Sequence, residues 1–326
     1  MQPIRRILVA IKDPSARSLP AVVKAAQLAR ALGARIELFH AIDAPIYIDV
    51  ISLRGEGLRQ LESNWRKQSL RQLDRIAARI SDPGLEVTTA AEWDFPGYEA
   101  IVRRASRIGA GLIVAERHGG RHVAPWLLHM TDWELLRLSP IPVLIVKSPR
   151  PYRRPVVLAA LDPGHAFAKP GKLDEDILQL GSTVKDALHG TLHAMHAYLP
   201  MPVGLPPEIW TAGKNLIAEI EAKARARAGS GFERVLKSAH VPRVRRHLVA
   251  RHPIDAIQDV ARQTRCAIVV MGAVSRSGLK RVFIGNTAER VLDHLACDLL
   301  VIKPRRFASR VPRAVRGARL AVAALP

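Results

Sequence analysis

The 326-residue sequence predicts an α/β protein made of two tandem domains, each a doubly wound parallel sheet of five strands with helices on both faces. Three observations lead there. Short Val/Ile/Leu runs alternate with amphipathic helical patterns along the chain. The second half repeats the first: "IRRILVAIKDP" (Ile4–Pro14) and "RPVVLAALDP" (Arg154–Pro163) both read as a buried strand ending in Asp-Pro, and Ala100–Lys147 lies on Ala256–Lys303 without a gap. Between the halves, "SPRPYRRP" (Ser148–Pro155) carries three prolines and reads as a linker. The expected domains are 1–148 and 155–304, followed by a basic tail, 305–326.

In the first half the apolar runs place strands near 6–11, 34–40, 85–92, 111–115 and 142–147. Helical periodicity falls near 16–32, 57–80, 97–108 and 131–138. In the second half strands are expected near 155–161, 191–197, 243–250, 267–271 and 298–302, with helices between them. Sheets of this kind bind ligands beyond the carboxyl ends of their strands, at the point where strand order reverses. Both Asp-Pro corners fall at such ends.

Composition bounds the function without fixing it. The chain is 48% hydrophobic with a mean hydropathy of +0.04, as a folded protein is. No run reaches the roughly 18 apolar residues that a membrane span needs, and the start reads as a first strand, not a signal peptide. Cys266 and Cys297 have no metal or redox spacing and are expected as buried, reduced thiols of a cytoplasmic protein. The formal charge is +21; the tail holds six arginines and no acid, leaving +15 on the body. Such a surface suits nucleic acid, anionic lipid or phosphate ligands, or is simply solvated. Aromatics are 5% of residues and do not interleave with the basic ones, so base stacking has little support.

The stretch "GAVSRSGLKRVFIGNT" (Gly272–Thr287) links an expected strand to an expected helix. Within "NTAE" (Asn286–Glu289) a capping side chain precedes a Glu by three residues, marking a helix start whose free N–H groups and dipole suit a phosphate. The alternative is a long connection whose glycines only permit its turns. It is neither a Walker loop nor a G-x-G-x-x-G fingerprint, and no catalytic Lys or metal-holding hydroxyl is placed for hydrolysis.

This loop resembles the nucleotide loop of universal stress proteins: G-x-x-G, nine residues, then G-S/T. The resemblance covers nearly the whole chain, through "TDWELLR" and "PVLIVK" in the first half and "FIGNTAERVLDHLACDLLVIKP" in the second. It implies domains of the adenine nucleotide alpha hydrolase-like type and a non-catalytic, cytoplasmic stress-response regulator. The implied ligand is ATP or another adenine nucleotide, accompanied by Mg, in the second domain. Gly272, Gly285, Asn286 and Thr287 would face the phosphates, with Ser275 and Gly278 in the same loop. Asp162 would lie near the adenosine, and Ala197 would offer backbone to the base. Two positions depart from the pattern: Ser275 replaces the second glycine and Asn286 the small hydroxyl. The family also implies an internal pseudo-dimer through "PVLIVK" and "DLLVIK", and further homodimers.

The first-half counterpart is degenerate. Glu116 stands where Gly272 stands and His129 where Gly285 stands, while Asp13 and Thr131 answer to Asp162 and Thr287. An acid there repels a triphosphate. His118 and His122 make an H-x-x-x-H pair, metal-compatible only on a helical turn, which the two glycines between them resist. They read as loop histidines. His193 and His196 fall on one strand and face opposite ways. Pro312 and Gly317 argue against one long helix in the tail, which is expected to be disordered. Two other readings stand: a nucleotide-free basic scaffold for RNA or an acidic partner, and a first-half pocket for another small molecule or a metal, lined by Glu116 and His118.

Overall fold

The computed structural model describes residues 3–48, 55–117, 130–164, 172–200, 214–237, 239–273 and 294–322. It divides into two compact units, Gln2–Pro151 with Phe307–Pro326, and Tyr152–Arg306.

The sheet of the first unit holds β1 (Arg6–Ala10), β2 (Arg35–Ile42), β4 (Val87–Trp93), β5 (Leu112–Glu116) and β6 (Val143–Val146). All pair in parallel in the order β4-β2-β1-β5-β6, so the order reverses between β1 and β5. The inner strands are apolar because both faces are covered: Ile7, Leu8, Val9, Ile113 and Val114 are fully buried. Around them run α1 (Pro20–Leu32), α2 (Gly55–Ile80), α3 (Gly97–Arg107) and α4 (Met130–Leu138). Helix α1 begins at Pro20 and not near 16, since proline suits the first turn, where its missing N–H costs nothing. Gly33, at φ 61°, ends it in the left-handed conformation.

The second unit repeats the plan with β7 (Val156–Leu161), β8 (Thr191–Tyr198), β9 (Arg246–Ala250), β10 (Ile268–Gly272) and β11 (Asp298–Ile302), in the parallel order β9-β8-β7-β10-β11. Its helices are α5 (Leu173–Ala187), α6 (Lys214–Leu236) and α7 (Pro253–Gln263). Cys266 and Cys297 are buried and unbridged. The neighbouring Cys297 thiol and burial push the Cys266 thiol up, away from a reactive thiolate. His193 and His196 do face apart. His196 is buried with Nδ1 3.1 Å from the Leu161 carbonyl, whereas His193 Nδ1 lies 2.9 Å from His247 Nε2 on the next strand. Among the described residues no helix is long and apolar enough to cross a membrane.

Two elements correct the sequence reading. A short strand, β3 (Pro45–Ile48), follows β2, and the tail supplies its partner, β12 (Arg319–Val322), in parallel register from Arg319↔Pro45 to Val322↔Ile48. The tail over Phe307–Val322 is therefore an ordered part of the first unit, not a disordered extension. Pro312 and Gly317 exclude a helix but suit an extended strap, and Asp94 and Glu99 of the first unit receive its Arg316.

Candidate functional site

At the reversal point of the second sheet, β7, β8 and β10 bring Asp162, Ala197 and Gly272 to the same carboxyl-terminal end. Asp162 lies just beyond β7, and its backbone N–H donates to Asp174 Oδ1 of the first turn of α5 at 3.1 Å. Ala197 pairs with Val249 near the end of β8. Gly272 ends β10 against the same helix start: a Cβ there would lie 2.7 Å from Leu173 Cδ2 and 3.3 Å from Ile177 Cδ1. The glycine thus has a packing reason in the close approach of the α5 side chains, whatever else the site holds. Ser275, Gly278, Gly285, Asn286 and Thr287 lie outside the described residues.

Sequence reasoning missed a cation here. Arg305, just past β11, forks onto the buried Asp176 of α5, with Nη2 2.6 Å from Oδ1 and Nε 3.1 Å from Oδ2. The pair joins residues 129 positions apart, and no local pattern announces it.

The first sheet builds the matching end differently. Asp13 is exposed and satisfied locally, its Oδ1 accepting from the Ser15 N–H at 2.8 Å and from Ser15 Oγ at 2.5 Å. Glu116, where β5 ends, turns its carboxylate to the first turn of α1; Oε2 lies 3.4 Å from the Ala21 N–H, with the buried Lys24 near. Burial pushes the Glu116 carboxyl up, while the Ala21 amide and Lys24 pull it back. The helix end that would attract a phosphate already holds the chain's own acid.

Asp132, in the first turn of α4, belongs to the same end and was not foreseen. Burial raises its carboxyl to about 6, opposed by Lys12 and Arg117. An acid opening a helix reads as an ordinary dipole partner, so its burial is invisible in sequence. His40 Nδ1 sits 2.8 Å from the Ile11 carbonyl and is held below its ordinary value by burial, against the pull of Asp43 and Asp13. Thr131 lies in α4, though its side chain is not described; His118, His122 and His129 lie outside the described residues.

Two tandem, doubly wound parallel sheets of 3-2-1-4-5 order define a class of nucleotide-type α/β folds. The family model described as "Universal stress protein family" matches residues 3–147 and 176–303, and the chain belongs to that family, whose members are stress-response proteins. It is 29% identical over 320 residues to universal stress protein E of Salmonella typhi, covering 93% of this chain and 96% of the relative. Among solved structures it resembles a putative universal stress protein from Pseudomonas aeruginosa UCBPP-PA14, at 25% identity and a TM-score of 0.61 over 93% of this chain and 94% of the other. A functionally unknown protein from Pseudomonas aeruginosa PAO1 shares the fold at 24% identity and a TM-score of 0.67, with 93% of each chain covered.

Proposed function

We propose that the protein is a non-catalytic, cytoplasmic stress-response regulator that binds ATP or a related adenine nucleotide, with Mg, in its second domain alone. The observation that carries this reading is the asymmetry at the two sheet reversals. Glu116 places a carboxylate at the first turn of α1, whereas Gly272 leaves no side chain at the corresponding point. Together with the family's loop pattern in Gly272–Thr287, this favours an anion in the second domain only. No group in the loop sequence is placed to activate water, so turnover of the bound nucleotide is slow at most. Pairing of the halves through their last strands, and homodimers built on it, belong to the same proposal.

The test begins with denaturing freshly purified protein and identifying any released nucleotide. ATP is then titrated by calorimetry into wild type and Gly285→Glu, which puts a carboxylate where the phosphates would lie. The reading expects binding in the wild type and none in the variant. Equal binding by both would sink it.

A further inference from the structure

We propose that the α3–α4 face of the first domain is a receptor for an extended, arginine-centred peptide, and that the chain's own residues 309–322 occupy it as an exchangeable latch. The strap runs from the end of α4 to the middle of α3 and on to the start of α3. Ser309 Oγ donates to the carbonyl of Leu138, the last residue of α4, at 2.9 Å. The Pro312 carbonyl accepts from Arg103 Nη1, midway along α3, at 3.2 Å. Arg316 reaches the start of α3, and residues 319–322 then add a parallel strand to β3.

The specificity lies at Arg316. Beneath it Arg103, Asp94 and Glu99 are buried: the Arg103 guanidinium bonds Asp94 through Nε at 2.7 Å and Nη2 at 2.8 Å, and Glu99 through Nη1 at 2.9 Å. Two carboxylates thus share one guanidinium and leave a net charge of −1 facing the strap. The neighbouring Glu134 and Arg137 pair with each other at 3.0 Å and do not cancel it. Arg316 does. Its backbone N–H donates to Asp94 Oδ1 at 3.0 Å, its Nη2 lies 3.0 Å from Glu99 Oε2 and 3.2 Å from Oε1, and its guanidinium sits 5.8 Å from the centre of the Phe95 ring. Charge balance, a carboxylate for the guanidinium, an aromatic face and a strand edge that accepts a further strand are the parts of a peptide-recognition site. Arg316 itself is exposed, so water competes for its contact, and tethering gives the tail an effective concentration that a free peptide must overcome.

The experiment uses the full chain and a labelled synthetic peptide of residues 305–326. In Arg316→Glu the amides of 309–322 and 45–48 should exchange at least about 10-fold faster than in wild type, with β1 and β5 unchanged. The peptide should bind this variant at least about 10-fold tighter than wild type, whose groove its own tail fills. A peptide carrying the same substitution, or a chain also carrying Glu99→Gln, should lose that binding. Arg316→Ala serves if the Glu variant does not fold. Unchanged tail protection in the released variant would overturn the proposal, and so would equal binding of a scrambled peptide of the same composition.

Discussion

The two domains build the reversal points of one topology with opposite chemistry. At the reversal of the first sheet a carboxylate lies against the first turn of α1; at the reversal of the second a glycine admits Leu173 of α5. The contrast extends to the helix that follows. In the gap-free overlay Arg103 of α3 falls on Asp259 of α7. Arg103 is buried between two acids and covered by the tail, whereas Asp259 pairs with Arg251 and Arg262 at the surface. A duplicated fold can therefore keep its packing while one copy turns its charges inward and closes on a segment of its own chain.

The largest test of this contrast is Arg103→Leu. Removing the cation strands Asp94 and Glu99, and the expected loss is about 3–5 kcal/mol in denaturant unfolding. Asp259→Leu, at the overlaid position, should cost under about 1 kcal/mol, because its partners are solvated. Equal costs would erase the distinction between the domains.

Asp132 comes next. Its carboxyl is raised in the folded state from 3.8 to about 6, so the folded chain binds the proton more tightly than the unfolded chain. Stability is therefore full below about pH 4 and declines as pH rises to about 6. Asp132→Asn should raise stability near pH 7.5 by up to about 3 kcal/mol and do little near pH 4. A flat difference across that range would refute burial as the cause.

Gly272→Ala should cost about 1–3 kcal/mol, since the added methyl meets Leu173, itself buried, and Ile177. A neutral result would show that α5 yields and that Gly272 has no packing reason. The smallest effect concerns the residue three places before a histidine bonded to a strand-end carbonyl, Glu37 before His40 and His193 before His196. Glu37 forks onto Arg104, which also meets Glu92. His193 instead meets His247, with ring centroids 5.3 Å apart and planes within 8°, so the rings are nearly coplanar and share one proton end to end. Burial lowers both imidazoles, so stability falls as pH drops below 6.5. His247→Gln should flatten that slope by under about 1 kcal/mol, read from thermal melts at pH 5 and 7.5.

Much of this was legible in sequence because buried parallel strands are short and uniformly apolar. "ILVA", "LIVA", "VLIV" and "DLLVI" all fall within observed strands. The Asp-Pro corners and Gly272 were placed at the correct ends for the same reason. The strand β3 and the tail were not legible. "PIYI" and "RLAV" become strands only through each other, and Arg316 meets Glu99 from 217 positions away. Composition showed six arginines without an acid; it could not show that Arg316 meets the buried Glu99 of the first domain and Arg305 the buried Asp176 of the second. The packing reason for Gly272 was hidden likewise, because Leu173 sits on a helix whose approach no local pattern encodes.

The central claim is asymmetry, and the stoichiometry of ATP binding to the intact wild-type chain tests it most directly. Calorimetry with Mg present should find about one nucleotide per chain, in keeping with a single proposed anion site in the second domain. Two per chain would mean that Glu116 does not close the first domain, and none would mean that the second loop has lost its ligand as well.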